Sequence, residues 1–248
     1  MIRGMSSRPD WLARYRDGDH HQVWRELGRL GDRVRGPACA AEAQAVCDEW
    51  ARRVRVNLDR LVERLDSQGY RFHTNDDAQT PVVPFAPPGP DAEEHVRWLE
   101  TTFGTVPMTL SSWVRLVGDV WLVGTHPRWP GASAADPLVL EVEGTRYPGE
   151  DMRAFLMDEF EQWEQTDEQP FQLPVAPDAL HKDNVSGGPP YGIVLPDAAA
   201  DGRIVTAEAM SMADYIRLAF DRGGFPGCSD QDSHGAVITS LRADLLPL

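Results

Sequence analysis

Apolar residues recur every three or four positions through the first third of the chain, the period of amphipathic helices. The spacing predicts a short helix over 10–16 that Gly18 stops. It predicts a second helix, capped by Asp19, with Val23, Trp24, Leu27, Leu30 and Val34 on one face. Gly36 and Pro37 break the run. A long helix follows over 37–68, with Ala43, Val46, Trp50, Val54, Leu58, Leu61 and Leu65 as its stripe and Gly69 just past its end. The short Gly-Pro connection favours an antiparallel hairpin, with Trp24, Leu27 and Leu30 against Trp50, Val54 and Leu58. The opposite face of the long helix carries Arg52, Arg53, Arg55, Arg60 and Arg64 interleaved with Glu49, Asp59 and Glu63. That alternation reads as a solvated surface of i,i+4 pairs in preference to a nucleic-acid-binding stripe.

Beyond Gly69 the period shortens. Residues 70–73 read as a strand, and 76–90 as an extended connection because Pro81, Pro84, Pro87, Pro88 and Pro90 forbid a helix. Asp91 and Glu94 have the spacing of a capping box for a helix that buries Val96, Leu99 and Phe103 and ends at Gly104. A shorter helix starts near Thr109, buries Leu110, Trp113, Val114 and Val117, and stops at Gly118. Strands are predicted at 120–123 and 138–142, with the loop 124–136 between them and Trp129 folded over the sheet edge. An acidic helix spans 151–165, an extended run 171–175, a polar loop 177–190 and a strand 191–195. Ser211 caps the last long helix, which Gly223 and Gly224 end; the tail after Phe225 is loosely patterned. The expected fold class is α+β, a mostly antiparallel sheet with helices packed on one side, preceded by an N-terminal helical hairpin. Three regions are expected: helical over 1–75, a Pro-rich connection over 76–90, and an α+β domain over 91–248.

Composition adds a charge asymmetry. The formal net charge is −15; residues 1–70 hold 13 Arg against 11 acidic side chains, so the remainder carries −17. An acidic surface opposes binding to nucleic acid or anionic membrane and suits a basic protein partner. The chain has three Cys at unrelated spacings, no signal-like leading segment and no stretch near the about 20 apolar residues of a membrane span, which predicts a cytoplasmic protein. Lys182 is the only lysine beside 23 Arg.

Chemical motifs are absent. Ser186-Gly187-Gly188 lacks the Lys-Ser/Thr of a phosphate loop, and no GxSxG elbow or HExxH helix occurs. His20 and His21 point about 100° apart on a helix and Cys39 and Cys47 about 80° apart, so neither pair clamps a metal. No cofactor or metal is expected. Two loops hold clusters. One brings His126, Arg128, Trp129 and Asp136, where a His and an Asp flank an aromatic turn. The other brings His181, Lys182, Asp183, Asn184, Ser186, Gly187, Gly188 and Tyr191, a titratable ring, a lone ammonium and glycines that let a partner approach.

The order of helix, Pro107 turn, helix ending at Gly118, aromatic strand, His-Pro-Arg-Trp-Pro loop, Asp-Pro and apolar strand resembles the core of the SUKH superfamily over about 91–227. The late helix after a strand adds to the likeness. The superfamily contains fungal cell-wall-assembly regulators and bacterial immunity proteins. The resemblance implies an α+β fold and protein binding without catalysis, in bacterial members neutralisation of a toxin. It assigns Trp121, Gly124 and Pro137 to structural positions and no residue to catalysis. The residues 141–168 carry ten acidic side chains against two Arg. The expected contact face for a basic partner is therefore Asp158, Glu161, Glu164 and Asp167 together with His181, Lys182, Asp183, Asn184 and Tyr191. Two other classes stay open: an enzyme in which His126 and the 181–191 loop share a cleft, and a structural subunit that docks through its N-terminal helices.

Overall fold

The computed structural model describes residues 9–144, 151–166, 170–228 and 234–248. It opens with three helices, α1 (Trp11–Arg16), α2 (His20–Leu30) and α3 (Ala40–Ser67), the last two joined by a 3-10 turn, Gly31–Arg35. Their apolar stripes are buried as the spacing requires: Val23, Leu27, Val46, Trp50, Val54, Leu58, Leu61 and Leu65 are all inaccessible. Tyr15 meets Trp24 edge-on at 6.0 Å between ring centroids, Trp24 meets Trp50 at 6.3 Å, and Trp50 meets Trp113 at 6.2 Å. This aromatic file carries the packing from α1 through α2 and α3 into α5 (Met108–Leu116). Helix α3 lies closest to α5 and α1, and meets α2 through the Trp24–Trp50 contact and through Arg53, whose guanidinium is 2.8 Å from the His20 ring. Of the contacts expected in the hairpin the structure shows Trp24 against Trp50, while α3 packs chiefly on α5 and α1.

The arginine face of α3 departs from the solvated surface expected of it. Arg53 donates to the Pro247 carbonyl at 3.1 Å and Arg60 to that of Asp244 at 2.5 Å. Arg64 holds the Leu241 carbonyl at 2.7 Å and also that of Ala243. Asn57 exchanges two hydrogen bonds with the Leu246 backbone, at 2.9 and 2.7 Å. These side chains tie down the C-terminal residues, which follow a helix, α9 (Gly235–Arg242), that the loose apolar pattern of the tail does not predict. The i,i+4 pairs Arg53–Glu49 (3.2 Å) and Arg55–Asp59 (3.5 Å) are present as well.

Every strand pairing among the described residues is antiparallel. Strand β1 (Arg71–Phe72) pairs with β4 (Gly124–Thr125), and β2 (Phe85–Ala86) pairs with β3 (Asp119–Trp121), which pairs in turn with β5 (Val139–Leu140). A second run orders β6 (Phe171–Ala176), β7 (Tyr191–Leu195), β8 (Arg203–Val205) and β9 (Ala209–Ser211). The Glu141 N–H donates to the Val175 carbonyl at 2.8 Å and joins the two runs. The fold is α+β, as the sequence predicts. Strand β2 comes from the Pro-rich connection, and Arg55 of α3 sits 4.4 Å above the Phe85 ring. Gly118 makes the β2–β3 approach feasible: it has φ +99, and a Cβ there would lie 2.2 Å from the Ala86 carbonyl.

Alternation along β3 divides the core. Val120 and Leu122 face the main apolar core, shared by the N-terminal helices, α4 (Ala92–Phe103), α5, and α8 (Met212–Asp221). Trp121 and Val123 face the other way and join Val139, Ala176 and Tyr191 in a smaller cluster, against which Val82 packs. Capping follows composition only in part. The Ser211 hydroxyl accepts from the Asp214 N–H at 3.1 Å, as expected. Asp91 and Asp19 stand at helix starts but their side chains make no cap bond; Asp19 instead accepts from Arg14 at 2.8 Å.

Candidate functional site

The polar loop 177–190 contains one helical turn, α7 (Ala179–Lys182), and is held from several sides. Its pivot is Asp178, which accepts the His181 N–H at 2.9 Å, the His181 ring at 2.6 Å and the Gly188 N–H at 2.6 Å. Burial alone raises the Asp178 carboxyl, but these donors outweigh it and hold the group below its ordinary value. A Cβ at Gly187 would lie 2.4 Å from this carboxylate, so a larger residue there would displace the Asp178 side chain from its donors. The Asn75 amide donates to the His181 carbonyl at 2.8 Å, and the Asn184 amide to Asp77 at 2.7 Å. Ser133 donates to Asp183 at 2.5 Å.

Lys182 does not face a partner. It is fully enclosed, with its Nζ 2.6 Å from Asp136 and 4.6 Å from the centre of the Tyr191 ring. Tyr191 is also buried and donates to the same carboxylate at 3.1 Å. Desolvation lowers the lysine, and the Asp136 charge works against that shift. These two members of the expected contact set are corrected to internal positions. A long side chain with an anion in reach finds its partner in a neighbouring loop, whatever its neighbours in sequence. Asn184 is exposed, and His181 and Asp183 are partly so.

The loops at 124–136 and 178–191 therefore do converge, through Asp136 and Ser133. The two histidines join separate networks. His126 is buried and lowered by that burial, with its Nδ1 accepting the Arg128 N–H at 3.1 Å and its Nε2 facing the Gln68 amide oxygen at 3.3 Å. It anchors the loop to the end of α3. Trp129 packs on Phe225 at 4.9 Å and stacks on His234 at 4.7 Å.

The open surface lies at α6 (Met152–Glu164). Asp151 caps this helix by accepting the Arg153 and Ala154 N–H groups at 3.0 and 3.2 Å. Leu156 is its fully buried residue, while Phe160 and Trp163 pack on Phe171 at 4.9 and 5.3 Å. That leaves Asp158, Glu161 and Glu164 exposed, with Phe155 still 48% accessible. No ion pair to Asp158, Glu159, Glu161 or Glu164 occurs among the described residues; Gln162 donates to Asp158 at 2.8 Å. Asp167, the fourth expected carboxylate, lies outside the described residues.

Two cavities meet at the start of α6. One, of about 390 Å³, is lined by Trp121, Met152, Phe155, Pro174, Pro177 and Pro190, with Glu141 at its wall. The other, of about 290 Å³, is walled by Gly89, Asp91, His95, Glu143 and Arg153; both cavities share Asp151 and Met152. His95 is lowered by burial; its Nε2 donates to the Val142 carbonyl at 2.9 Å and its Nδ1 accepts from Arg153 at 3.4 Å. Glu143 accepts the Gly89 N–H at 3.2 Å and is raised by burial and by the nearby Asp119. Sequence reasoning passed over this pair, since the walls come from several segments far apart in the chain. The only local signal was the density of acidic residues around 141–168.

Among the described residues, no group of three or more His, Cys, Asp or Glu side chains is arranged to hold a metal ion, and no helix is long and apolar enough to cross a membrane. Compared with protein-family models, curated proteins and solved structures, the chain matches none.

Proposed function

We propose that this chain is a non-catalytic protein-binding module whose acidic α6 face meets a basic protein. The observation that carries the reading is the exposed row Asp158, Glu161 and Glu164, without cation partners among the described residues, beside the half-exposed Phe155. Uncompensated like charges on one helix repel one another and cost the fold a little stability. A basic partner converts the same charges into steering and rim contacts, and Phe155 supplies an apolar anchor. Asn184 and the partly exposed His181 and Asp183 belong to this contact surface. The resemblance to the SUKH superfamily points the same way and assigns the partner the character of a toxin.

The test is capture from the native host by two baits. One is the wild-type chain, and the other carries Asp158→Asn, Glu161→Gln and Glu164→Gln. A protein of high isoelectric point retained by the first and lost from the second supports the reading. Retention of the same proteins by both baits refutes it.

A further inference from the structure

The two cavities at the start of α6 differ in chemistry and share a wall. The larger is apolar: Trp121, Met152, Phe155 and prolines surround a volume of about 390 Å³. That space accepts a large aliphatic or aromatic side chain. The smaller holds the carboxylates of Asp91, Glu143 and Asp151. Among the described residues, the cation in its wall is Arg153, and it is already engaged, 3.5 Å from Glu94 and 3.4 Å from His95. His95 brings no positive charge, because its Nδ1 accepts from Arg153 while its Nε2 donates to a carbonyl. The acidic cavity is therefore complementary to a cation, and its carboxylates sit beside an apolar hole.

We propose that the paired cavities read one segment of the partner in two parts, an apolar side chain in the larger and the guanidinium or ammonium of a neighbouring Arg or Lys in the smaller. This rests on the docking reading above and deepens it by naming the chemistry of the docked segment. Burial disfavours the charge on Glu143, and a cation brought alongside offsets that penalty.

The experiment titrates the isotopically labelled full chain with three short probes and follows its amide resonances. The probes are acetyl-Leu-Arg-amide, the neutral isostere acetyl-Leu-citrulline-amide, and acetyl-Gly-Arg-amide. Saturable shifts at Gly89, Gly144, Met152 and Phe155 are expected with the first, at a dissociation constant on the order of 1 mM. Each of the other two is expected to bind about tenfold more weakly or worse. Glu143→Gln should erase the preference for Arg over citrulline while leaving the spectrum folded. Equal affinity for the Arg and citrulline probes overturns the proposal, and so do shifts confined to other parts of the chain. No saturable shift up to about 10 mM overturns it as well. Loss of host capture on neutralising Asp158, Glu161 and Glu164, without any response of the cavities to these probes, leaves the docking reading intact and removes this one.

Discussion

A lysine that is fully enclosed has to meet an anion, and Lys182 meets Asp136 at 2.6 Å with the Tyr191 ring over it. The pair is one interaction with two unequal ways to break it. Lys182→Met leaves Asp136, among the described residues, with the Tyr191 hydroxyl as its side-chain partner, and the expected loss of unfolding free energy is about 3–5 kcal/mol. Adding Asp136→Asn removes the stranded charge and should recover a clear part of that loss. Asn suits the left-handed φ of 52 at this position. Urea unfolding of the single and double variants checks this, and equal losses contradict it. Asp201 offers a second test. Burial pushes its carboxyl up to about 7, against hydrogen bonds from Ser211 and from the Ala213 N–H. The folded value lies above the unfolded one of about 4, so the native state keeps a proton that the unfolded chain releases. The stability it contributes is complete below about pH 4 and is lost as pH rises through about 7. Asp201→Asn imitates the neutral acid, so it should stabilise the protein more at pH 8 than at pH 5. Denaturation curves at both values read the difference; an unchanged pH dependence contradicts the assignment. Neither residue was legible beforehand. A lone lysine in a polar loop reads as solvated, and the burial of Lys182 is set by a carboxylate 46 positions away.

Among the elements, those whose partners are local were the easiest to read. Helix α3 shows its stripe through the 3.6-residue period, and α8 shows both its Ser211 cap and its Gly223–Gly224 stop. Strand β7 occupies 191–195 as the apolar run indicates. Strand β2 was not legible, since Phe85–Ala86 sits among prolines and becomes a strand only by pairing with β3. Strands β8 and β9 are short and were passed over for the same reason. The capping box expected from Asp91 and Glu94 does not form; Glu94 lies 3.5 Å from Arg153 instead. The element on which most packing converges is α3, and Trp50 is its largest enclosed side chain, in contact with both Trp24 and Trp113. Trp50→Ala is expected to cost about 3–5 kcal/mol, the range for a large buried aromatic. A loss below about 0.5 kcal/mol, typical of surface positions, contradicts this packing.

At the scale of the whole molecule, charge and shape are distributed to different ends. Of the basic residues of the first third, Arg53, Arg60 and Arg64 hold the C-terminal backbone. The acidic excess of the remainder gathers where α6 leaves Asp158, Glu161 and Glu164 in solvent next to two open cavities. The sequence disclosed the excess and the helix that displays it. It did not disclose the cavities, which exist only once the turn at Gly89, β3, β6 and the start of α6 are brought together. Long-range attraction between such a face and a basic protein acts before contact, so it governs how fast the two associate. The decisive measurement is therefore the association rate constant of the purified chain with the captured basic protein as salt is raised from about 0.05 to about 0.5 M. A fall of more than about tenfold is expected, with the variant neutralised at Asp158, Glu161 and Glu164 already slow at low salt. A rate that is indifferent to salt and equal in that variant would contradict the account.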